Sequence, residues 1–390
     1  MFRRFPPPGL ALAAALLLAS CRHAMLPPGA EVRAAIVPET STEIAQPVTA
    51  LDDSARFLAG MPGGAGSPLT VARNTESWQR FSRNMDELWR RFSVQRQPRL
   101  ANFSRSELGG LRHAPTVWYP FSGPDILFAE TLFPGAGHYE LCGLESCEML
   151  PDLTALNPDQ QAAALDGIYT SLTTALSYSF FVTKDMRVDL QRTAVKGTLP
   201  LCLVFLARLG YPIESVTPVS LDSGGALVAG QSGRNCPGYT IRYRTGPGGS
   251  RSLTYFTENV ADFSLRSDPR YLNYLRGFGP VVTYLKSASY LMHTDEFTLI
   301  RQRILDQSSA LLQDDSGIPL RHLTDNRWDL LFYGHYSGVL DLFKEYYQAD
   351  LMSIYQSGGP QVREIDFGLG YKHLTGDTAL ILARKRQGQD

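Results

Sequence analysis

The chain predicts a mixed-sheet fold of the α/β or α+β class, and three observations carry that reading. From Thr116 to Cys147, strand, turn, helix and second-strand signals follow without interruption. The β-branched and aromatic run Thr116 to Tyr119 reads as a short buried strand. Ser122-Gly123-Pro124-Asp125 turns into an apolar helix from Ile126 to Phe133, Pro134 to Gly137 stops it, and Tyr139 to Leu144 supplies the next strand, a β-loop-α-β unit. Further on, Tyr239 to Arg244 alternates Tyr239, Ile241 and Tyr243 against polar residues, and Gly246-Pro247-Gly248-Gly249 turns it into Ser252 to Thr257, a β-hairpin. The third observation is a helical stripe, Trp78, Phe81, Met85, Leu88, Trp89 and Phe92, whose spacing packs a flanking helix on the body.

The remaining elements follow in order. Asp52 to Leu58 forms a short helix stopped by Gly60 to Gly64, and Leu100 to Leu111 another. Asn157-Pro158-Asp159-Gln160 is a helix start, with Asn at the cap, Pro at the first helical position and Gln three residues in; Leu165, Ile168, Leu172 and Leu176 carry that helix to about Phe181. Leu201 to Leu209 is apolar apart from Arg208 and predicts a buried helix. Ile213 to Leu221 is a strand that Pro218 pushes toward a sheet edge. Helical segments follow at Tyr271 to Arg276, Val281 to Met292 and Glu296 to Gln307, then a strand at Ser309 to Gln313 and a turn from Asp314 to Pro319. Asp329 to Tyr336 predicts a strand, Leu340 to Tyr355 a helix, and Ala379 to Ala383 a last strand.

With 44% hydrophobic and 19% charged residues in 390, the chain has material for one large core or two modest ones, which excludes disorder throughout. A formal net charge of -1 and no basic stripe argue against a nucleic-acid partner. The first 20 residues read as a signal peptide: Arg3 and Arg4 precede an apolar run, Gly9 to Leu18, that suits a secretory leader and is short for a bilayer span. Leu18-Ala19-Ser20-Cys21 resembles the bacterial lipobox, which implies lipidation at Cys21. Residues 21–50 then form a tether and residues 51–390 a single globular body. Arg22 in place of an aspartate implies, by the sorting rule of enteric lipoproteins, the outer membrane facing the periplasm. Cys142, Cys147, Cys202 and Cys236 remain; Cys142 and Cys147 enclose a short loop and are candidates to bridge each other, whereas Cys202 sits in an apolar run that suits a buried thiol.

Candidate chemistry is sparse. The Ser122-Gly123-Pro124-Asp125 loop joins a strand to a helix N-terminus, a geometry that offers amides and a dipole to an anion; Asp125 as a plain helix cap and Gly123 as a turn residue explain it equally. Lys286-Ser287-Ala288-Ser289-Tyr290 collects nucleophile and base types, and so would the wet side of a helix. Gln313-Asp314-Asp315-Ser316-Gly317 gathers oxygen ligands without calcium-loop spacing, and no histidine or cysteine pair has zinc spacing. No metal and no cofactor is expected. Tyr333 to Gly338 is an aromatic and glycine-rich patch that lines a pocket or ends a strand.

The unit of strand, Gly-bearing turn, helix and second strand ending in Glu145 resembles the first half of a nucleotide-binding or methyltransferase domain. It departs from both, with one glycine where those motifs have two or three, and with Pro124 lacking a donor. The body, with YPFSGPD, LKSASYLMH and LQDDSGIP, is similar to a group of bacterial envelope proteins without assigned activity. The expectation is a lipid-anchored envelope protein that binds a small ligand or an envelope partner, through Ser122, Gly123, Asp125, Lys286 and Asp314. The alternative is a periplasmic hydrolase or transferase in which Asp125, Lys286 and Asp314 meet at the sheet edge; a structural envelope component is a third reading. Replacing Cys21→Ser tests the anchor. The variant is expected to leave the membrane fraction and to lose labelling by radioactive palmitate, and a variant that stays membrane-bound and labelled removes the lipobox reading.

Overall fold

The computed structural model describes residues 49–178, 193–230, 238–246, 249–357, 362–373 and 377–386. The predicted signal peptide, Cys21, the tether, Cys236 and the end of the helix reaching Phe181 lie outside them. Residues from Thr49 onward form a unit of their own.

Helices come first. The Thr49 side chain accepts from the Asp52 amide and opens α1 (Ala50–Leu58), and α2 (Thr70–Arg73) leads to α3 (Glu76–Gln95). The predicted stripe buries Trp78, Phe81, Met85, Leu88 and Phe92, leaving Trp89 at its margin. After α4 (Gln97–Phe103) the predicted unit appears as β1 (Thr116–Tyr119), α5 (Ile126–Leu132) and β2 (His138–Gly143). Asn157 opens α6 (Pro158–Tyr178) with a reciprocal cap: its Oδ1 accepts from the Gln160 amide at 2.9 Å, while Gln160 Oε1 accepts from the Asn157 amide at 3.0 Å. The buried helix α7 (Leu199–Arg208) follows, then β3 (Ile213–Leu221), β4 (Leu227–Ala229) and the antiparallel hairpin of β5 (Gly238–Arg244) and β6 (Ser250–Thr257). The chain continues through α8 (Asp262–Ser267), α9 (Arg270–Arg276), β7 (Val281–Leu285), α10 (Thr298–Gln307), β8 (Ser308–Asp314), β9 (Trp328–Gly334), α11 (Ala349–Gln356), β10 (Val362–Arg363) and β11 (Ala379–Lys385).

One mixed sheet holds all these strands, in the order β10-β9-β11-β8-β7-β1-β2-β6-β5-β3-β4. Its centre is parallel: β6, β2, β1, β7 and β8 run the same way. Numbered by their succession in the chain, those five read 3-2-1-4-5, the doubly wound order, in which the direction of winding reverses between β1 and β7. The crossover through α5 and the crossover through α10 therefore pack on opposite faces. Side chains divide accordingly with period two: Val117, Tyr119, Val282 and Tyr284 enter the core under α3, α5, α6 and α7, while Trp118, Val281 and Leu285 enter the core under α9 and α10. Beyond β8 the sheet ends in an antiparallel insertion, β11 lying between β8 and β9 and antiparallel to both.

Four expectations change. Val281 to Met292 is not a helix. Its first five residues, Val-Val-Thr-Tyr-Leu, are all buried and form the parallel strand between β1 and β8, where two covered faces remove the alternation that separates strand from helix. Leu340 to Tyr355 is broken in two, because the Gln348 side chain bonds to the Leu320 amide and the Asp315 carbonyl and its amide to Tyr336, holding Tyr347 and Gln348 extended before α11 begins. Strand β3 is one strand in from the edge: β4 pairs with Val219 to Leu221, and the Gly230 amide donates to the Pro218 carbonyl at 2.8 Å, so the proline, which has no amide hydrogen to offer, is accommodated at the end of that pairing. Cys142 and Cys147 are both free thiols: Cys142 points into the core under α9 and α10, and Cys147 packs against the opposite core. Alkylation of the denatured, unreduced protein is expected to modify both Cys142 and Cys147, read by peptide mass; protection of the pair until reduction would show the bridge instead.

Candidate functional site

The reversal of winding falls between β1 and β7, and in doubly wound sheets it is the crevice outside the carboxyl ends of such strands that binds ligands. Three of the residues singled out from the sequence meet there. Asp125 caps α5, its Oδ1 accepting from the Phe128 amide at 3.3 Å. Its Oδ2 accepts from the Tyr119 hydroxyl at 2.9 Å and from Lys286 Nζ at 2.5 Å. Lys286 is the first residue after β7, and its ammonium lies 3.7 Å from the centre of the Phe128 ring, which adds a cation–π contact. Asp314 ends β8: its Oδ2 accepts from the Ser287 amide at 2.8 Å, and its Oδ1 from the Ser316 amide and hydroxyl at 3.0 and 2.6 Å. Asp125, Lys286 and Asp314 are each 3% exposed, so all three carry their charges away from water.

Burial dominates their electrostatics. It raises the Asp125 carboxyl, against the pull of Lys286, and lowers the Lys286 ammonium, against the pull of Asp125. It also raises Asp314, opposed by the bonds from Ser316 and Ser287, and brings Asp315 up to about 7 with help from its neighbour Asp314. Desolvation thus opposes both charges of the Lys286–Asp125 pair, and their mutual attraction supports them. Tyr119 and Tyr284 are pushed well above the ordinary phenol range by the same burial.

The other two predicted residues do different work. The Ser122 hydroxyl donates to backbone carbonyls, including that of Cys142 in β2, and serves the turn. Gly123 has φ +53, and the Glu145 carboxylate lies over it, 3.6 Å from where a Cβ would stand; at Gly143 a Cβ would come within 2.3 Å of Glu145 Oε2. Both glycines make room for that carboxylate, which Tyr255 also holds. The start of α5 receives the chain's own Asp125 in place of an external anion, and the carboxylates of Asp125, Glu145 and Asp314 stand with two cations, Lys286 and the half-buried Arg96, whose guanidinium lies over the same Phe128 ring at 5.7 Å and acts on both members of the pair.

Sequence reasoning missed Tyr119, Tyr284 and the backbone around them. The Tyr284 ring packs against that of Tyr119 at a tilt, with ring centres 4.6 Å apart, and its hydroxyl, like that of Ser287, is buried with no hydrogen-bond partner among the described residues. Phe121, Ser287, Ser289 and Tyr290 have φ of 61°, 54°, 52° and 57°, and all four left-handed residues lie in the loops after β1 and β7. Strain of this kind costs about 1–3 kcal/mol per residue and collects at ligand sites. Reading Val281 to Leu285 as a strand would have placed Lys286 at its carboxyl end and exposed the site.

Comparison with family models, with curated proteins and with solved structures gives no match. Among the described residues no helix is long and apolar enough to cross a membrane.

Removing one partner of a buried ion pair costs about 3–5 kcal/mol. Asp125→Asn and Lys286→Met are each expected to lower stability by about that much in urea titrations, and the double variant by clearly less than the sum. Additive losses would show that the pair is not coupled.

Proposed function

We propose that this protein binds a small hydroxylated or cationic ligand in the crevice between the ends of β1 and β7, as a lipid-anchored component of the bacterial envelope. The observation that carries the reading is the pair of orphaned, buried hydroxyls, Tyr284 and Ser287, beside the Lys286–Asp125 pair and inside the two strained loops. Buried polar groups are normally satisfied, and groups that the protein leaves open at a switch point are accounted for by a ligand's own polar atoms. The sign of the charge narrows the class. Three carboxylates against the two cations of Lys286 and Arg96 leave a slight acidic balance, which favours hydroxyl donors or a positive centre and opposes a polyphosphate.

A transferase acting on a nucleoside-type donor is the second reading, favoured by two observations. Glu145 follows the Gly123 turn at the end of β2, where an acidic residue can accept from ribose hydroxyls, and β11 inserted antiparallel between β8 and β9 is the arrangement of methyltransferase sheets rather than dinucleotide-binding ones. In that reading Asp125 and Glu145 orient the donor, and the Lys286–Asp125 pair holds the proton that the acceptor gives up.

The test is thermal denaturation with adenosine, S-adenosylmethionine and ATP at millimolar concentration. Adenosine or S-adenosylmethionine is expected to raise the melting temperature by several degrees through binding linkage, ATP to leave it unchanged, and Glu145→Gln to abolish the response. A chain that responds to none of them, or to ATP equally well, overturns the reading.

A further inference from the structure

At the opposite edge of the sheet, near where β2 and β6 begin, three side chains stand in line. His138 opens β2 and lies beside Ser252 in the parallel register of β2 and β6, and Glu140 follows two residues later on the same face. The Ser252 hydroxyl and His138 Nδ1 are 2.8 Å apart, and His138 Nε2 is 3.4 Å from Glu140 Oε2. Nucleophile, base and carboxylate thus follow one another through the two nitrogens of one imidazole. None of the three belongs to the crevice at the carboxyl ends of β1 and β7.

The surroundings orient the line. Glu140 is 0% exposed, and two tyrosines of α9 reach it, Tyr274 donating to Oε2 at 2.9 Å and Tyr271 to Oε1 at 3.4 Å. Burial pushes its carboxyl up, and His138, followed by the two tyrosines, opposes that. A carboxylate on which three donors converge fixes the tautomer of the imidazole: Nε2 keeps its hydrogen toward Glu140, and Nδ1 offers its lone pair to the Ser252 hydroxyl. Phe278, just beyond α9, stacks on the imidazole with ring centres 5.8 Å apart and holds its plane. Access is graded in the direction that acyl transfer needs. Glu140 is sealed, His138 and Ser252 are half-buried, and Gly137 beside them is exposed, so solvent reaches the serine and not the carboxylate. On the far side of Ser252, the exposed Arg242 of β5 is its partner in the antiparallel register and shares its face, a cation toward which charge on a carbonyl oxygen can develop.

We propose that Ser252, His138 and Glu140 form a nucleophilic centre that hydrolyses small carboxylic esters. The Ser252 oxygen bonds to the ester carbonyl carbon while its proton passes to His138 Nδ1; the bond from that carbon to the alcohol oxygen then breaks, and the alcohol leaves with the proton. Water attacks the acyl-serine and gives a proton to His138, and the acid departs as Ser252 takes that proton back. Glu140 is a positioning residue, which holds the tautomer and supports the imidazolium formed in each half. Esters are the class that fits, because an open edge with a side-chain cation supports the easier acyl transfers. This activity goes beyond ligand binding in the crevice, and the two stand or fall separately.

Diisopropyl fluorophosphate, with peptide mass as the readout, tests the nucleophile on the whole protein, and 4-nitrophenyl acetate tests turnover. The native protein is expected to gain one phosphoryl group at Ser252, and the urea-denatured protein none. The Ser252 side chain is half-buried and its hydroxyl bonds to His138 alone among the described residues. Ser252→Ala should therefore melt with the wild type, lose the label and lower ester turnover by about tenfold or more. His138→Gln keeps a hydrogen-bonding side chain that cannot take the proton, and is expected to lose the label as well. In Glu140→Gln the rate constant of labelling, which does not depend on how much of the sample is folded, is expected to fall by about tenfold or more. No label at Ser252 in the native protein, a labelling rate that His138→Gln or Glu140→Gln leaves unchanged, or full ester turnover by Ser252→Ala overturns the proposal.

Discussion

The Lys286–Asp125 ion pair is the contact on which the crevice depends. It joins the loop after β1 to the end of β7, the two places from which the chain departs toward opposite faces of the sheet. Desolvation works against it, as the opposed displacements of the two groups show. What keeps it in place is the number of other bonds that share it: Asp125 also caps α5 and takes the Tyr119 hydroxyl, and Lys286 lies over Phe128 of that same helix. A hydrophobic pair of similar volume would hold the two loops together as firmly. It would not orient α5.

From this junction the sheet edge changes character over a short distance. Asp314 and Asp315 are neighbours in sequence, yet Asp314 turns to the Ser287 amide at the crevice and Asp315 accepts from Tyr290, whose ring stacks on Tyr346.

Local signals in the chain identified what local physics controls. The β1-α5-β2 unit, the stripe of α3, the reciprocal cap of Asn157 and Gln160 and the β5–β6 hairpin were all legible, because turn residues and period describe them without reference to anything distant. Strand β7 was not, since a strand covered on both faces loses its alternation and looks like any apolar run. That single misreading removed Lys286 from the end of a strand and with it the geometry of the site, although Asp125, Lys286 and Asp314 had been named. The break at Tyr347 and Gln348 was invisible for a different reason: it is imposed by bonds to Tyr336, Leu320 and Asp315, distant in sequence. The bridge between Cys142 and Cys147 looked feasible by spacing and fails because the two side chains serve opposite cores.

The insertion of β11 sets an order of events as well as a topology. Strands β8 and β9 are neighbours only through β11, which is made after both and after β10 and α11. Until it arrives, each of the two presents an open row of backbone donors and acceptors, and Phe332 and Leu311 lack the neighbours Ile381 and Ala383. Such edges pair readily with other chains, and contacts closed late across long stretches of sequence form slowly. The last described strand is therefore the latch of the sheet, and a chain interrupted before Ala379 has Asp125, Lys286 and Asp314 in full but no strand to pair β9 with β8.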